Sequence, residues 1–187
     1  MPQTAPLIVP VDGLLARTLE LDGQLCFRCP LLEDPRTAPD PECPVHFRDL
    51  APVLQGPRSG VLASVTGGRT VAYAVFGPPA VFRNAPDLPF ELDDDALLIA
   101  ALYAIPEARD DNTDVDLLIA VIRFAAEQGF TRLQAVCRDD PAESPEPRTA
   151  VIRAAGFELT EPERGLRLGT LTVSSWGAPA KPTEEAS

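Results

Sequence analysis

Arg109, Asp110, Asp111, Asn112, Thr113 and Asp114 lie between an apolar run that ends at Pro106 and an amphipathic run that begins at Thr113. Strand, tight loop and helix in that order is the layout of a phosphate site. The first amides of a helix have no acceptor within it, and the helix dipole is positive at that end. The residue types argue the other way, because glycine is what normally lets a backbone close on a phosphate, and here carboxylates crowd the loop. A carboxylate about 4 Å from a pyrophosphate would cost on the order of 1 to 4 kcal/mol per charge pair. Asp114 and Asp116 have a ligand-free use as well, since acids in a first helical turn neutralise the dipole as a bound phosphate would.

A second constellation lies upstream: Cys26-Phe-Arg-Cys29, thirteen residues, then Cys43-Pro-Val-His46. Two knuckles with two-residue spacers bring four soft or borderline ligands to the corners of a tetrahedron, as structural zinc requires. Four protein ligands leave no place for water, so such a zinc would tie the N-terminal segment to the core. A redox-active Cys-x-x-Cys pair and plain reduced thiols are the alternatives, the first without its usual strand-to-helix context. Cys137 has no nearby partner in sequence and reads as a buried thiol. Trp176 reads as a packing residue.

The remaining composition narrows the chemistry. The chain has 187 residues, enough for one sizeable core, and a formal net charge of -12 that opposes binding to nucleic acid or an anionic membrane. Of its 16 basic residues only Lys181 is lysine, which excludes a Schiff base or Walker-type loop in the core. The single histidine, His46, would have to serve any Ser-His-Asp or Cys-His arrangement. No apolar run is long enough to span a bilayer and Met-Pro-Gln-Thr-Ala-Pro lacks the features of a signal peptide, so a cytoplasmic protein is expected.

The elements that would position these residues follow from patterning. The 21 prolines fall mostly in spans 30 to 57, 77 to 89 and 141 to 147, which read as loops. Ser59 to Val65 and Thr70 to Phe76 flank Thr66-Gly67-Gly68-Arg69 and predict an antiparallel hairpin. Asp95 to Ile105 is apolar on both faces, as in a central strand. From Thr113 to Gln128, Val115, Leu118, Ile119, Ile122, Ala125 and Ala126 recur at helical spacing, with Thr113 and Asp116 resembling a capping box and Gly129 a stop. A strand at Leu133 to Cys137, a short helix at Pro147 to Ala155 and a strand at Leu166 to Ser174 complete an α/β sandwich with a mixed sheet.

That order of elements, with Val71-Ala72-Tyr73-Ala74 in the hairpin, Leu102 to Arg109 as central strand and loop, and Ala154-Ala155-Gly156-Phe157 after the second helix, resembles the GNAT superfamily of N-acetyltransferases over roughly residues 59 to 176. The resemblance implies a mixed, mostly antiparallel sheet flanked by helices, with the cysteine cluster as an added N-terminal segment. It implies acetyl-CoA as cofactor, held by Leu102 and Ala104 and by the loop Arg109, Asp110, Asp111, Asn112, Thr113 and Asp114. The family loop runs Arg or Gln, two residues, Gly, one residue, Gly or Ala. Here Arg109 matches, while Asn112 and Asp114 replace the two small residues, Asn112 being able to adopt the left-handed backbone. The family's tyrosine general acid, four residues ahead of the glycine, falls at Ile152, and its asparagine near Pro145.

A general base would have to come from Asp93, Asp94, Asp95 or Glu107, within hydrogen-bond reach of an amine. From Asp87 to Asp116 there are ten acids against Arg109 alone, which would suit a cationic amine. The expected division is 1-57 as N-terminal segment with the zinc-like cluster, 58-176 as the GNAT-like domain and 177-187 as a disordered tail. Three readings stay open: an N-acetyltransferase acting on a small-molecule or peptide amine, a GNAT-fold protein without catalysis that serves as a zinc-stabilised binding or scaffold module, and use of the fold for another thioester ligand or as a homodimer through the cleft between the central strand and its neighbour.

Overall fold

A computed structural model of the chain describes residues 7–12, 29, 31–32, 47–109, 112–139 and 145–175. They form one seven-stranded sheet in the order β1-β2-β3-β4-β5-β7-β6. The strands are β1 (Leu7–Pro10), β2 (Gly60–Thr66), β3 (Arg69–Gly77), β4 (Leu97–Ala104), β5 (Arg132–Cys137), β6 (Glu158–Leu159) and β7 (Arg167–Thr172). Every pairing is antiparallel except β4 with β5. The helices are α1 (Phe47–Gln55), a single turn α2 (Pro106–Arg109), α3 (Thr113–Glu127) and α4 (Thr149–Ala154). Among the described residues no helix is long and apolar enough to cross a membrane.

Local chemistry accounts for the first half of the sheet. Thr66 pairs with Arg69, and both residues between them, Gly67 at φ 59° and Gly68 at φ 80°, have the positive φ that a two-residue hairpin turn needs. In β4 every side chain but Tyr103 is buried, because core lies on both faces of this strand. On one face Leu97, Ile99 and Leu102 pack with Leu118, Ile122, Leu133 and Ile152. On the other, Leu98 and Ala100 join Tyr73, Val75, Leu50, Val53 and Phe82.

Several expectations are corrected. The proline-rich span 30 to 57 contains α1, whose Leu50 and Val53 are buried three residues apart despite Pro52 inside the helix. Its C-terminal end is tied down by the Ser59 hydroxyl, which donates to the Val53 carbonyl at 2.6 Å. Span 77 to 89 carries two 3-10 turns, Pro79–Val81 and Ala85–Asp87. The short strands β1 and β6 have no counterpart among the expected elements.

The largest correction concerns α3. Its buried face is Asp114, Leu117, Leu118, Val121, Ile122 and Ala125, whereas Ala126 is exposed and Val115 and Ile119 only half-buried. The helix is turned about one residue from the expected face. The capping box is absent too: Asn112 is the N-cap residue, at φ 58° and ψ 26°, with no side-chain cap bond, and Thr113 is the first helical residue. Both differences place Asp114 inside the protein.

Candidate functional site

β4 and β5 pair only at Leu97 with Leu133, Leu98 with Gln134 and Ile99 with Ala135. Beyond those positions β4 continues to Ala104 and β5 to Cys137 as separate edges. Parallel strands that part in this way leave a gap at their C-terminal ends, and β4 runs directly into the expected phosphate loop. Leu102 directs its N–H into the gap, where it donates to the Pro145 carbonyl at 2.9 Å. Ala104 lies two residues on and shares that edge by the pleat.

The loop itself is built from backbone bonds. Ala108 and Arg109 donate to the Ile105 carbonyl, Asn112 to the Arg109 carbonyl at 3.2 Å, and Asp116 to the Asn112 carbonyl at 3.1 Å. Arg109 directs its guanidinium back along β4: Nε donates to the Ala104 carbonyl at 2.8 Å, and the group sits 5.6 Å from the Tyr103 ring centroid. Asn112 supplies the left-handed residue that turns the chain into α3, a conformation Asn tolerates better than most residues. Asp110 and Asp111 lie outside the described residues.

Asp114 does not face outward as a rival to a bound anion. Its Oδ1 accepts the Val115 amide at 3.0 Å, and its Oδ2 accepts from Arg148, through Nε at 3.1 Å and also through Nη2. The carboxylate is thus spent on one first-turn amide and one guanidinium. Arg148 was not among the expected site residues. The only sequence signal for it is indirect: an acid on the inner face of a helix requires a cation, but 15 arginines are available and the partner lies 34 positions away.

Three of the four candidate bases lie away from the loop end of this gap. Asp93 serves as a turn cap and an ion-pair partner, its Oδ1 accepting the Asp95 amide at 3.0 Å and its Oδ2 the Arg132 guanidinium at 2.8 Å. Asp93, Asp94 and Asp95 precede β4, at the end opposite Ala104, and Glu107 is exposed on α2. A cavity of about 390 Å³ lined by Phe82, Phe90, Leu92 and Asp94 also opens at that far end. Ile152, where the resemblance would put a tyrosine, is wholly buried.

Cys137 is buried as expected; burial raises its thiol pKa, opposed in part by the Thr149 hydroxyl. Cys29 is also buried, and its carbonyl accepts the Leu32 amide at 2.9 Å. The other three expected zinc ligands, Cys26, Cys43 and His46, lie outside the described residues, as does Trp176. Among the described residues no three His, Cys, Asp or Glu side chains are grouped to hold a metal ion.

No protein-family model and no curated protein matches the sequence. Solved structures do match in fold. The GNAT domain of S. lividans PAT superposes with a TM-score of 0.62 at 16% identity, covering 89% of this chain and 90% of that one. Drosophila melanogaster polyamine N-acetyltransferase, described as forming N-acetylagmatine, gives 0.60 at 13% identity over 90% of this chain and 100% of its own. The yncA protein of Salmonella typhimurium, solved with its cofactor acetyl-CoA, gives 0.57 at 19% identity over 94% and 98%. The likeness at these identities is one of fold: the chain has the architecture of the GNAT acetyltransferases.

Proposed function

We propose that the chain is an acetyl-CoA-dependent N-acetyltransferase with an amine acceptor. The observation that carries this reading is the junction of β4, the Asn112 turn and α3, which lies beside the gap and whose buried acid Asp114 is paired with Arg148. The charge penalty expected of Asp114 against a pyrophosphate is thereby reduced. The residues present suit the group. Leu102 and Ala104 would offer the strand edge, Arg109 would brace the loop, and the first-turn amides of α3 from Thr113 would meet phosphate.

Acetyl-CoA held there would supply a thioester carbonyl: the neutral amine would form the carbon–nitrogen bond as the carbon–sulfur bond breaks, the thiolate leaving and the proton shed by the nitrogen passing to it or to solvent. The part of the chain's own residues in this scheme is positional, and alignment of two reactants is worth several orders of magnitude in rate. No general acid or base is assigned. A cationic amine is the favoured acceptor, because a net charge of -12 raises the local concentration of cations. The polyamine-acetylating fold neighbour supports the same class.

Isothermal titration is expected to show acetyl-CoA binding, weakened about tenfold in Arg109→Ala through loss of the bond that braces the loop, a charge-assisted contact of about 1.5 kcal/mol. Amine acetylation should fall with it. Absence of heat at millimolar acetyl-CoA, from both the wild type and a Pro145→Gly/Pro147→Gly chain whose gap is easier to open, would sink the reading in favour of a scaffold module.

We also propose that Cys26, Cys29, Cys43 and His46 hold one structural zinc, a reading supported by their spacing and by the burial of Cys29 with Leu31 and Leu32 at the edge of the core. Elemental analysis should find stoichiometric zinc that Cys29→Ser loses together with thermal stability. A metal-free protein of unchanged melting temperature would remove the site.

A further inference from the structure

The gap between β4 and β5 is filled by the chain itself. Pro145, Glu146 and Pro147 are all buried there. Pro145 accepts the Leu102 amide on the β4 side at 2.9 Å, and Pro147 accepts the Arg138 amide on the β5 side at 3.0 Å. Arg138 and Arg148 form an isolated parallel bridge, so the segment runs alongside the end of β5 as a short extra strand. Its last residue, Arg148, is the one that binds Asp114 at the start of α3.

As a strand, this segment is poorly made. Pro145 and Pro147 have no N–H, so the β4 edge is held by a carbonyl with no reciprocal amide from either residue. Glu146 is buried, with Oε1 3.2 Å from Arg138 Nη2 and Oε2 without a hydrogen-bond partner among the described residues. Burying a carboxylate oxygen unpaired is unfavourable, and a segment meant only to complete the sheet would be better served by an apolar residue. The composition fits a segment that must leave as well as stay.

We infer that Pro145–Pro147 is an intrasteric stand-in for the amide-bearing arm of the acyl-CoA: it occupies the β4 edge at Leu102 in the empty protein and is displaced when the cofactor enters, with Arg148 on Asp114 as the fixed end about which it swings. The inference rests on the acetyl-CoA reading of the gap. Cofactor and segment compete for one amide, so the observed affinity is the intrinsic affinity multiplied by the fraction of molecules with the segment out. Changes that loosen the segment without touching the loop must tighten binding.

The test combines hydrogen exchange of the full chain, with and without acetyl-CoA, and titration of Pro145→Gly/Pro147→Gly. Glycine widens the freedom of the displaced segment, which favours the open state. The variant is expected to bind acetyl-CoA roughly tenfold more tightly than the wild type. In the wild type, acetyl-CoA should strip protection from the Arg138 amide while that of Leu102 stays protected, its acceptor exchanged. Binding that leaves Arg138 protected, with equal affinity in both chains, overturns the stand-in and leaves the acetyltransferase reading intact. Binding only to the glycine variant supports the stand-in in a tightly closed form. Binding to neither chain overturns both.

Discussion

Arg148→Met is expected to lower stability by about 2 to 3 kcal/mol, whereas Asp114→Asn costs about 1 kcal/mol or less. The asymmetry comes from where the two charges sit. The Asp114 side chain is 5% exposed and the Arg148 side chain 33%. Removing Arg148 leaves a carboxylate that is almost wholly buried, with the Val115 amide as its remaining partner among the described residues. Removing the acid leaves a guanidinium that can turn outward. For a chain of this size the larger loss corresponds to about 5 to 10 °C in melting temperature. The double variant should resemble Asp114→Asn alone, giving a coupling of about 2 to 3 kcal/mol in a double-mutant cycle. Losses below about 0.5 kcal/mol from both single changes would show that the pair is a surface contact of no consequence. On the acetyl-CoA reading proposed above, cofactor binding supplies a second readout in the same proteins: Arg148→Met uncovers a negative charge next to the α3 N-terminus and should weaken it, and Asp114→Asn should not.

Asp114 also shows how far the sequence could be read. Asp and Asn in place of small residues looked like damage to a phosphate loop, because the expected face of α3 was drawn through Val115, Ile119 and Ala126. That face is chosen by the larger apolar side chains, and a rotation of one residue buries Leu117 and Val121 in their place with nearly the same hydrophobic content. Periodicity therefore gives the existence of the helix more securely than its rotation. The hairpin was legible for the opposite reason: two consecutive glycines between alternating strands admit one turn geometry, and the register follows from it.

What could not be read was made by contacts distant in sequence. α1 forms inside a proline-rich span because Leu50 and Val53 find the sheet, a tertiary gain that outweighs the local cost of Pro52. Pro145 to Pro147 carries the signals of an ordinary loop, and its place between β4 and β5 is set by amides at Leu102 and Arg138 rather than by any local preference. Asp93, Asp94 and Asp95 lie away from the loop for a simpler geometric reason. Acids at the start of β4 and a loop at its end are separated by the length of an eight-residue strand, about 25 Å at the usual rise.

Ile152→Tyr, the change that would put a tyrosine where the GNAT resemblance implies a general acid, is expected to destabilise the protein by about 3 to 4 kcal/mol and to confer no gain in acetyl transfer. Ile152 has no exposed surface. It fits into a notch at Gly169 on β7, where a Cβ would stand 2.7 Å from Ile152 Cγ2 and 3.2 Å from Leu159 Cδ2. The glycine and the isoleucine thus share one volume. A tyrosine ring would have to displace Phe157 or Leu159, an overpacking cost of about 1 to 3 kcal/mol, and its hydroxyl would be buried in the apolar cluster at a further cost of about 1 to 3 kcal/mol. Denaturant unfolding of the purified variant measures the sum, and a parallel assay of amine acetylation measures the function. A stable Ile152→Tyr protein with a faster rate would mean that α4 can turn this position toward the gap. The expected result instead ties the absent acid to packing: α4 is held against β7 through Gly169, so any transfer by this chain must proceed without a proton donor at 152.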